Sequence, residues 1–281
     1  MREDNAEAIH AMADLIDPEE DKGAKSESWL KPHRVVLLLL AALMVALMAF
    51  NMRWDWLPLY WKEMLGGLWV TLALLVGSSI LGFAMAVPLG LAQVSGPAPL
   101  AWAARGFCTV IRGTPLLLQL WLLYYGLGSL FPQIPWIRGS FIWPYLREAW
   151  PYALASLTIS FAGYEGEVMR GALAGVPKGE LEAGRAYGMS RFTVLRRIWL
   201  PRAIQRALPT LNGEIVLQLK ATPLVATITV IDLYAVISDV RQDTYIIYEP
   251  LLFLAFIYLC LTGLLVAGFR HLENRIPTRG V

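Results

Sequence analysis

The sequence predicts an all-α integral membrane protein with six transmembrane helices, and three observations carry that reading. Of 281 residues, 57% are hydrophobic and only 16% charged, with a mean hydropathy of +0.51. A soluble domain cannot hide that much apolar surface. Six apolar stretches, approximately 35–52, 67–94, 106–130, 149–171, 208–235 and 248–269, approach the roughly 20 residues needed to cross a bilayer. Lys and Arg are unevenly shared between them. With the N-terminus inside, the inner segments hold five in 1–34, Arg105 and Arg112, eight in 170–206 and three in 270–281. The outer segments hold only Arg53, Lys62, Arg138, Arg147 and Arg241. The positive-inside rule therefore puts both termini and the 170–206 loop in the cytoplasm. Tryptophans 54, 56 and 61 on one outer loop, and 136, 143 and 150 on the next, suit an aromatic belt.

Residues 1–34 carry nine acidic and five basic residues and read as a solvated acidic tail. A short helix fits Ala6–Ile16, with Pro18 stopping it. The 35–52 stretch has no small-residue cleavage site after it, so it reads as an uncleaved anchor helix rather than a signal peptide. In the second span Ser78, Gly82, Ala86 and Gly90 recur at every fourth position, a flat seam that lets another helix approach closely. Pro88 is expected to kink or break its last turns. The two cysteines, Cys108 and Cys260, fall in separate apolar segments and read as small hydrophobes, not as a disulfide or metal pair.

The third span opens with Arg112-Gly113-Thr114-Pro115, where a proline at a helix start costs little. Arg112 at the boundary is expected to snorkel or to pair with an acid. Gln119, one turn further in, either bonds across helices or lines a path. The fourth span ends in Tyr164–Gly171, in which Glu167 and Arg170 share a helix face and can pair. Glu165 points roughly the other way. Acids at such depth are functional candidates unless water reaches them.

The loop from Glu182 to Pro201 is polar, basic and punctuated by glycine. A short helix is expected over 178–187, with Leu181, Gly184 and Gly188 on one side. Ser190 is a good N-cap for a second, basic and amphipathic helix. Its apolar stripe is Phe192, Leu195, Ile198 and Trp199, and Pro201 is expected to end it. Segment 171–206 carries seven basic and two acidic residues. Anionic lipid and the positive-inside bias explain this charge better than nucleic acid does. The fifth span holds Glu214, Gln218, Lys220 and Asp232, with Thr222-Pro223 near its middle. Interrupted helices of this kind often line the substrate site of transporters. Lys220, Thr222 and Asp232 are the path-lining candidates, while Glu214 and Gln218, four apart, are placed to satisfy one another. The sixth span reads as bundle packing.

Glu182-Ala183-Gly184, three residues, Gly188, nine residues, then Ile198-x-Leu200-Pro201 resembles the EAA loop of binding-protein-dependent ABC importer permeases. That pattern is E-A-A, three residues, G, nine residues, I-x-L-P; only Gly184 departs from it. Arg112-Gly113-Thr114-Pro115 is similar to the R-G-T-P stretch of the polar amino-acid branch. Tyr164–Gly171 resembles its Y-x-x-E-x-x-R-G, placing Glu167, Arg170 and Gly171 on the motif. Lys220-Ala221-Thr222-Pro223-Leu224 is similar to K-D-T-S-L, with two departures. The resemblance covers about 65–270, which it marks as an ABC transporter type-1 transmembrane domain of type I importer fold. The acidic tail, 1–34, and the extra N-terminal helix, 35–52, are additions.

The resemblance implies a permease in a bacterial inner membrane that pairs with a second permease subunit, identical or not. It implies two cytosolic ATP-binding subunits and a periplasmic solute-binding protein. Glu182 would be the docking contact with the ATPase. No G-x-x-x-x-G-K-[ST] occurs in the chain, so no cofactor is expected on it, and ATP and Mg are expected on the partner. Wording similar to T-x-T-V-x-D-L at Thr227–Leu233 points to basic amino acids or opines. Asp232 is placed either to attract a cationic substrate or to pair with Arg241. The rivals are an ion-coupled secondary carrier, with its acids at the centre of coupling, and a channel or scaffold.

Overall fold

The computed structural model describes Leu39 and residues 52–275. The acidic tail and, but for Leu39 and Met52, the 35–52 helix lie outside the described residues. Among the described residues there is no strand. The principal helices are α1 (Leu57–Ser95), α2 (Ala98–Gly113), α3 (Leu116–Trp121), α4 (Trp150–Ala174) and α5 (Lys178–Ala186). They are followed by α6 (Arg191–Val194), α7 (Leu200–Ala221), α8 (Leu233–Thr244) and α9 (Tyr248–Arg275).

α1, with 39 residues, is about 58 Å long at about 1.5 Å per residue, well beyond the roughly 30 Å of bilayer hydrocarbon. It is continuous through Pro88. The expected break does not form, because one missing amide near the helix end is offset by packing just beyond it. The small-residue seam does form. Ser78, Gly82, Ala86 and Gly90 are all buried, and a β-carbon on Gly82 or Gly90 would meet Phe161 or Met169 of α4 at 2.8 Å. The α1–α4 contact is the most extensive in the fold. Small residues are what permit it, since inside a bilayer helices associate through close packing rather than through water expulsion.

Two predicted spans have different internal structure. The 106–130 stretch is not one helix. α2 ends at Gly113, the chain bends by 104°, and α3 starts after Pro115. Proline forces the residue before it out of the helical region, and Thr114 accordingly sits at φ −109, ψ 134. α3 continues through a π-helical segment, Leu122–Leu127, and one more turn, Gly128–Leu130. The 208–235 stretch begins earlier, at Leu200, and breaks at Thr222 into a 3₁₀ helix, Thr222–Ile228. A bend of 54° then leads into α8, so this span is interrupted where Thr222-Pro223 predicts.

α1 and α9 are each long and apolar enough to cross a membrane, and the bent pairs supply two further candidate spans. Three apolar clusters are strung along α1 from its start to its end. Trp56 and Met64 meet Ile237, Val240 and Leu254 of α8 and α9. Leu74 meets Leu120, Leu157, Val225 and Ile228. Ala86 meets Met169, Leu173, Ala203 and Leu208. Cys108 is buried and Cys260 exposed, and both are free thiols.

Candidate coupling surface and intramembrane cleft

α5 begins after Pro177 and ends at a glycine turn. Gly188 has φ +78, a conformation that β-carbons disfavour. There the Gly188 N–H donates to Arg185 C=O (2.9 Å) and the Met189 N–H to Gly184 C=O (3.1 Å), closing the helix end. Ser190 caps the next helix as its sequence position predicts, its Oγ accepting from the Thr193 N–H at 3.2 Å.

The helix does not end at Pro201. α6 passes through a π turn, Leu195–Trp199, straight into α7. Proline inside a helix lacks one donor and crowds the carbonyl four residues earlier. A π turn just upstream widens the ladder there, with Leu200 N–H reaching back to Leu195 C=O, so the chain continues without a break.

Gly184 lies under Ile198, whose Cδ1 would be 2.7 Å from a β-carbon at residue 184, and beside Val194. At Gly184, then, the glycine face receives the chain's own helix, whereas the position of a β-carbon on Gly188 is open. Glu180 bonds Arg202 at 3.1 Å, and Trp199 Nε1 donates to Leu173 C=O at 2.9 Å. These contacts hold α5 as a bracket against α4 and α7. The surface left outward is Glu182, Ala183, Arg185, Ala186 and Tyr187, the last 88% exposed. Among the described residues Glu182 makes no ion pair, so the local Glu182–Arg185 alternative does not form. Leu200 is half-buried and Pro201 exposed. Phe192 leaves the expected apolar stripe and is 68% exposed. Beside the bracket is an open depression of about 570 Å³, lined by Ala183, Tyr187, Met189, Arg197, Pro201 and Gln205 among others.

The Arg112–Pro115 stretch is the corner between α2 and α3. Gln119 resolves its two readings by turning back on this corner, donating to Ile111 C=O (2.9 Å) and Thr114 C=O (3.0 Å). Those carbonyls lost helical partners at the bend, so the side-chain amide replaces them. Thr114 Oγ1 donates to Val110 C=O. Arg112 finds a ring rather than an acid, its guanidinium 5.9 Å from the centre of Tyr164. Glu167 and Arg170 pair as their spacing predicts, Nε to Oε1 at 2.7 Å, and Gly171 is exposed behind them.

The three path candidates are placed very differently. Lys220 is exposed. Thr222 is fully buried, with its hydroxyl 2.8 Å from Leu219 C=O and 3.1 Å from Tyr258 Oη. Asp232 is also fully buried, caps α8 by accepting from Ala235 N–H at 2.9 Å, and makes no pair with Arg241. Nor do Glu214 and Gln218 satisfy one another. Gln218 Nε2 donates to Ser78 Oγ (2.9 Å) and Leu157 C=O (3.0 Å), tying α7 to α1 and α4. Tertiary partners outcompete the i, i+4 spacing, leaving the Glu214 carboxylate to a cleft of about 250 Å³. Thr114, Ser160, Tyr164, Glu214, Leu217 and Gln218 are among its lining. Sequence reasoning assigned Glu214 to internal pairing and missed this. The missed signal is the acid's depth within a span, which makes it a functional candidate by itself.

The family model for a binding-protein-dependent transport system inner membrane component matches residues 78–277. The octopine transport system permease protein of Rhizobium radiobacter is 39% identical over 210 residues, covering 75% of this chain and 84% of that protein. The histidine/lysine/arginine/ornithine transport system permease protein of Escherichia coli (strain K12) is 34% identical over 223 residues, covering 78% and 92%. Among solved structures, an amino acid ABC transporter crystallised with histidines superposes with a TM-score of 0.68 and 29% identity, over 80% of this chain and 100% of that one. On a match this extensive, the chain belongs to the binding-protein-dependent transport system inner membrane components and is a permease subunit of an ABC importer.

Proposed function

We propose that this permease carries basic amino acids or opines, and that they pass through the cleft lined by Glu214. The observation that carries the proposal is a carboxylate presented to a largely apolar cleft inside the membrane-spanning part of the fold. An acid at that depth is costly unless it serves a path, and it complements a cationic substrate. The relatives, permeases of octopine and of histidine/lysine/arginine/ornithine transport systems, support the same substrate class.

The chain supplies half of the path, and a second permease subunit, identical or not, supplies the other half. Two ATP-binding subunits carry ATP and Mg; a periplasmic solute-binding protein delivers substrate. The bracket at 178–201 docks on the ATPase, with Glu182, Ala183 and Tyr187 outward and Gly184, Gly188, Ile198, Leu200 and Pro201 setting its shape. Both termini lie in the cytoplasm, following the Lys and Arg asymmetry. The type-1 domain spans 65–270, with the acidic tail and one extra helix before it.

The test is uptake of labelled arginine and octopine by the assembled importer in proteoliposomes. Glu214→Gln is expected to cut uptake of the cationic substrate roughly 10- to 100-fold, the scale of one charge-assisted hydrogen bond, while the ATPase still co-purifies. Unchanged uptake of both compounds rejects the path assignment.

A further inference from the structure

The 3₁₀ segment Thr222–Ile228 is anchored by Val225 and Ile228 in the core and by hydrogen bonds at its flanks, whereas Thr227 lies on its open side. Thr222 is bonded to Tyr258, and beyond the segment Leu233 N–H donates to Thr71 Oγ1 at 3.1 Å. Thr227, by contrast, is exposed; its hydroxyl donates to Leu224 C=O at 2.7 Å within the segment, and α3 with its π-helical continuation supplies its partners from outside the segment. Trp121 Nε1 donates to Thr227 Oγ1 at 3.1 Å, and Tyr125 Oη donates to Thr227 C=O at 3.3 Å. Both rings are partly exposed on the single chain, Trp121 by 42% and Tyr125 by 56%, and Tyr125 also packs edge-on against Tyr124, ring centres 5.0 Å apart.

Three further features put this contact at a movable point. Tyr125 lies in the π-helical segment Leu122–Leu127, a geometry that concentrates at functional sites. Thr227 lies in a 3₁₀ run of seven residues, longer than such helices usually persist. Thr229, a β-branched residue, follows with φ +69, which stores backbone strain. The contact also lies beyond the cleft. Leu116 and Ala221 line the cleft, and both chains lead from there toward the outer side, reaching Trp121 and Thr227 within two turns.

We infer that Trp121 and Tyr125, clasped on Thr227, form the outer gate of the Glu214 cleft. Opening breaks the two hydrogen bonds and swings the two rings off Thr227. The inference rests on the proposed path, but its test uses no substrate, so a wrong substrate assignment leaves the readout intact. In the importer assembled with its ATPase and second permease subunit, Cys108 and Cys260 are replaced and a cysteine is placed by Leu217→Cys. Leu217 lines the cleft and is 58% exposed on the single chain. Trp121→Phe with Tyr125→Phe keeps both rings and removes both donors. Labelling by a membrane-impermeant thiol reagent from the outer side, without ATP, is expected to accelerate at least about tenfold, with co-purification of the ATPase retained. An unchanged outer rate, or an equal rise from both sides, overturns the gate. As a second measurement, Trp121→Cys with Thr227→Cys is bridged by a short bis-thiol reagent. Uptake is expected to stop on bridging and to return on cleavage of the bridge; uptake that continues with the bridge intact also overturns it.

Discussion

Ile198 closes over Gly184 so tightly that a β-carbon on residue 184 would stand 2.7 Å from its Cδ1. Both residues belong to the loop motif, and their contact is internal to the bracket. The atom in the way is the far end of a flexible side chain, so it can turn aside for a methyl group but not for a branched one. Gly184→Ala is therefore expected to cost less than about 1.5 kcal/mol, and Gly184→Leu about 1–3 kcal/mol through overpacking. Thermal unfolding in detergent, beside co-purification of the ATPase, measures both. Equal behaviour of the two variants contradicts this packing.

Gly188 differs in kind, because nothing stands within 4 Å of its missing β-carbon. Its constraint is the backbone, at φ +78. Gly188→Asn is expected to retain most transport and Gly188→Val to lose about 1–2 kcal/mol of local stability, since asparagine tolerates the left-handed region and a branched residue does not. Gly188→Arg should still insert in the membrane yet uncouple uptake from ATP. Uptake at the parental rate in that variant argues against the docking role.

Gly82 and Gly90 bring α1 and α4 into contact, and Met169 and Phe161 leave no room for more. Gly82→Leu is expected to lower the melting temperature of the assembled importer and to reduce its yield. Gly106→Leu is the matched control, since its β-carbon position is open. A similar loss in both would show that the seam does not hold the bundle.

Glu167 and Arg170 form a close pair, but their side chains are 29% and 40% exposed. Water screens a pair of this exposure, so its contribution is about 0.2–1 kcal/mol. A double-mutant cycle of Glu167→Gln and Arg170→Gln on thermal stability should give a coupling in that range. A coupling above about 2 kcal/mol would mean that the assembled complex buries the pair.

How much of this was legible in the sequence depended on the range of the contacts. Local rules placed the Ser190 cap, the Gly188 turn, the Glu167–Arg170 pair and the break at Thr222-Pro223, because each is decided within four residues. The small-residue seam was also readable, because its period matches a helix face. Pro115 marked the start of α3, but the apolar run on either side of it hid that α2 is a separate helix meeting it at 104°. Pro201 misled in the other direction, as a π turn absorbs it. Gln218 and Thr222 were decided by partners 36 to 140 residues away, which no local spacing reveals.

If energy enters this permease through the 178–201 bracket from a separate ATPase, uptake survives the loss of every ion gradient. The most direct measurement is substrate uptake into proteoliposomes holding the whole importer and trapped ATP, with every ion gradient collapsed by ionophores. Uptake at the undisturbed rate is expected, abolished by Gly188→Arg. Uptake that falls to background on adding ionophore while ATP remains contradicts energy entry by that route and favours an ion-coupled carrier.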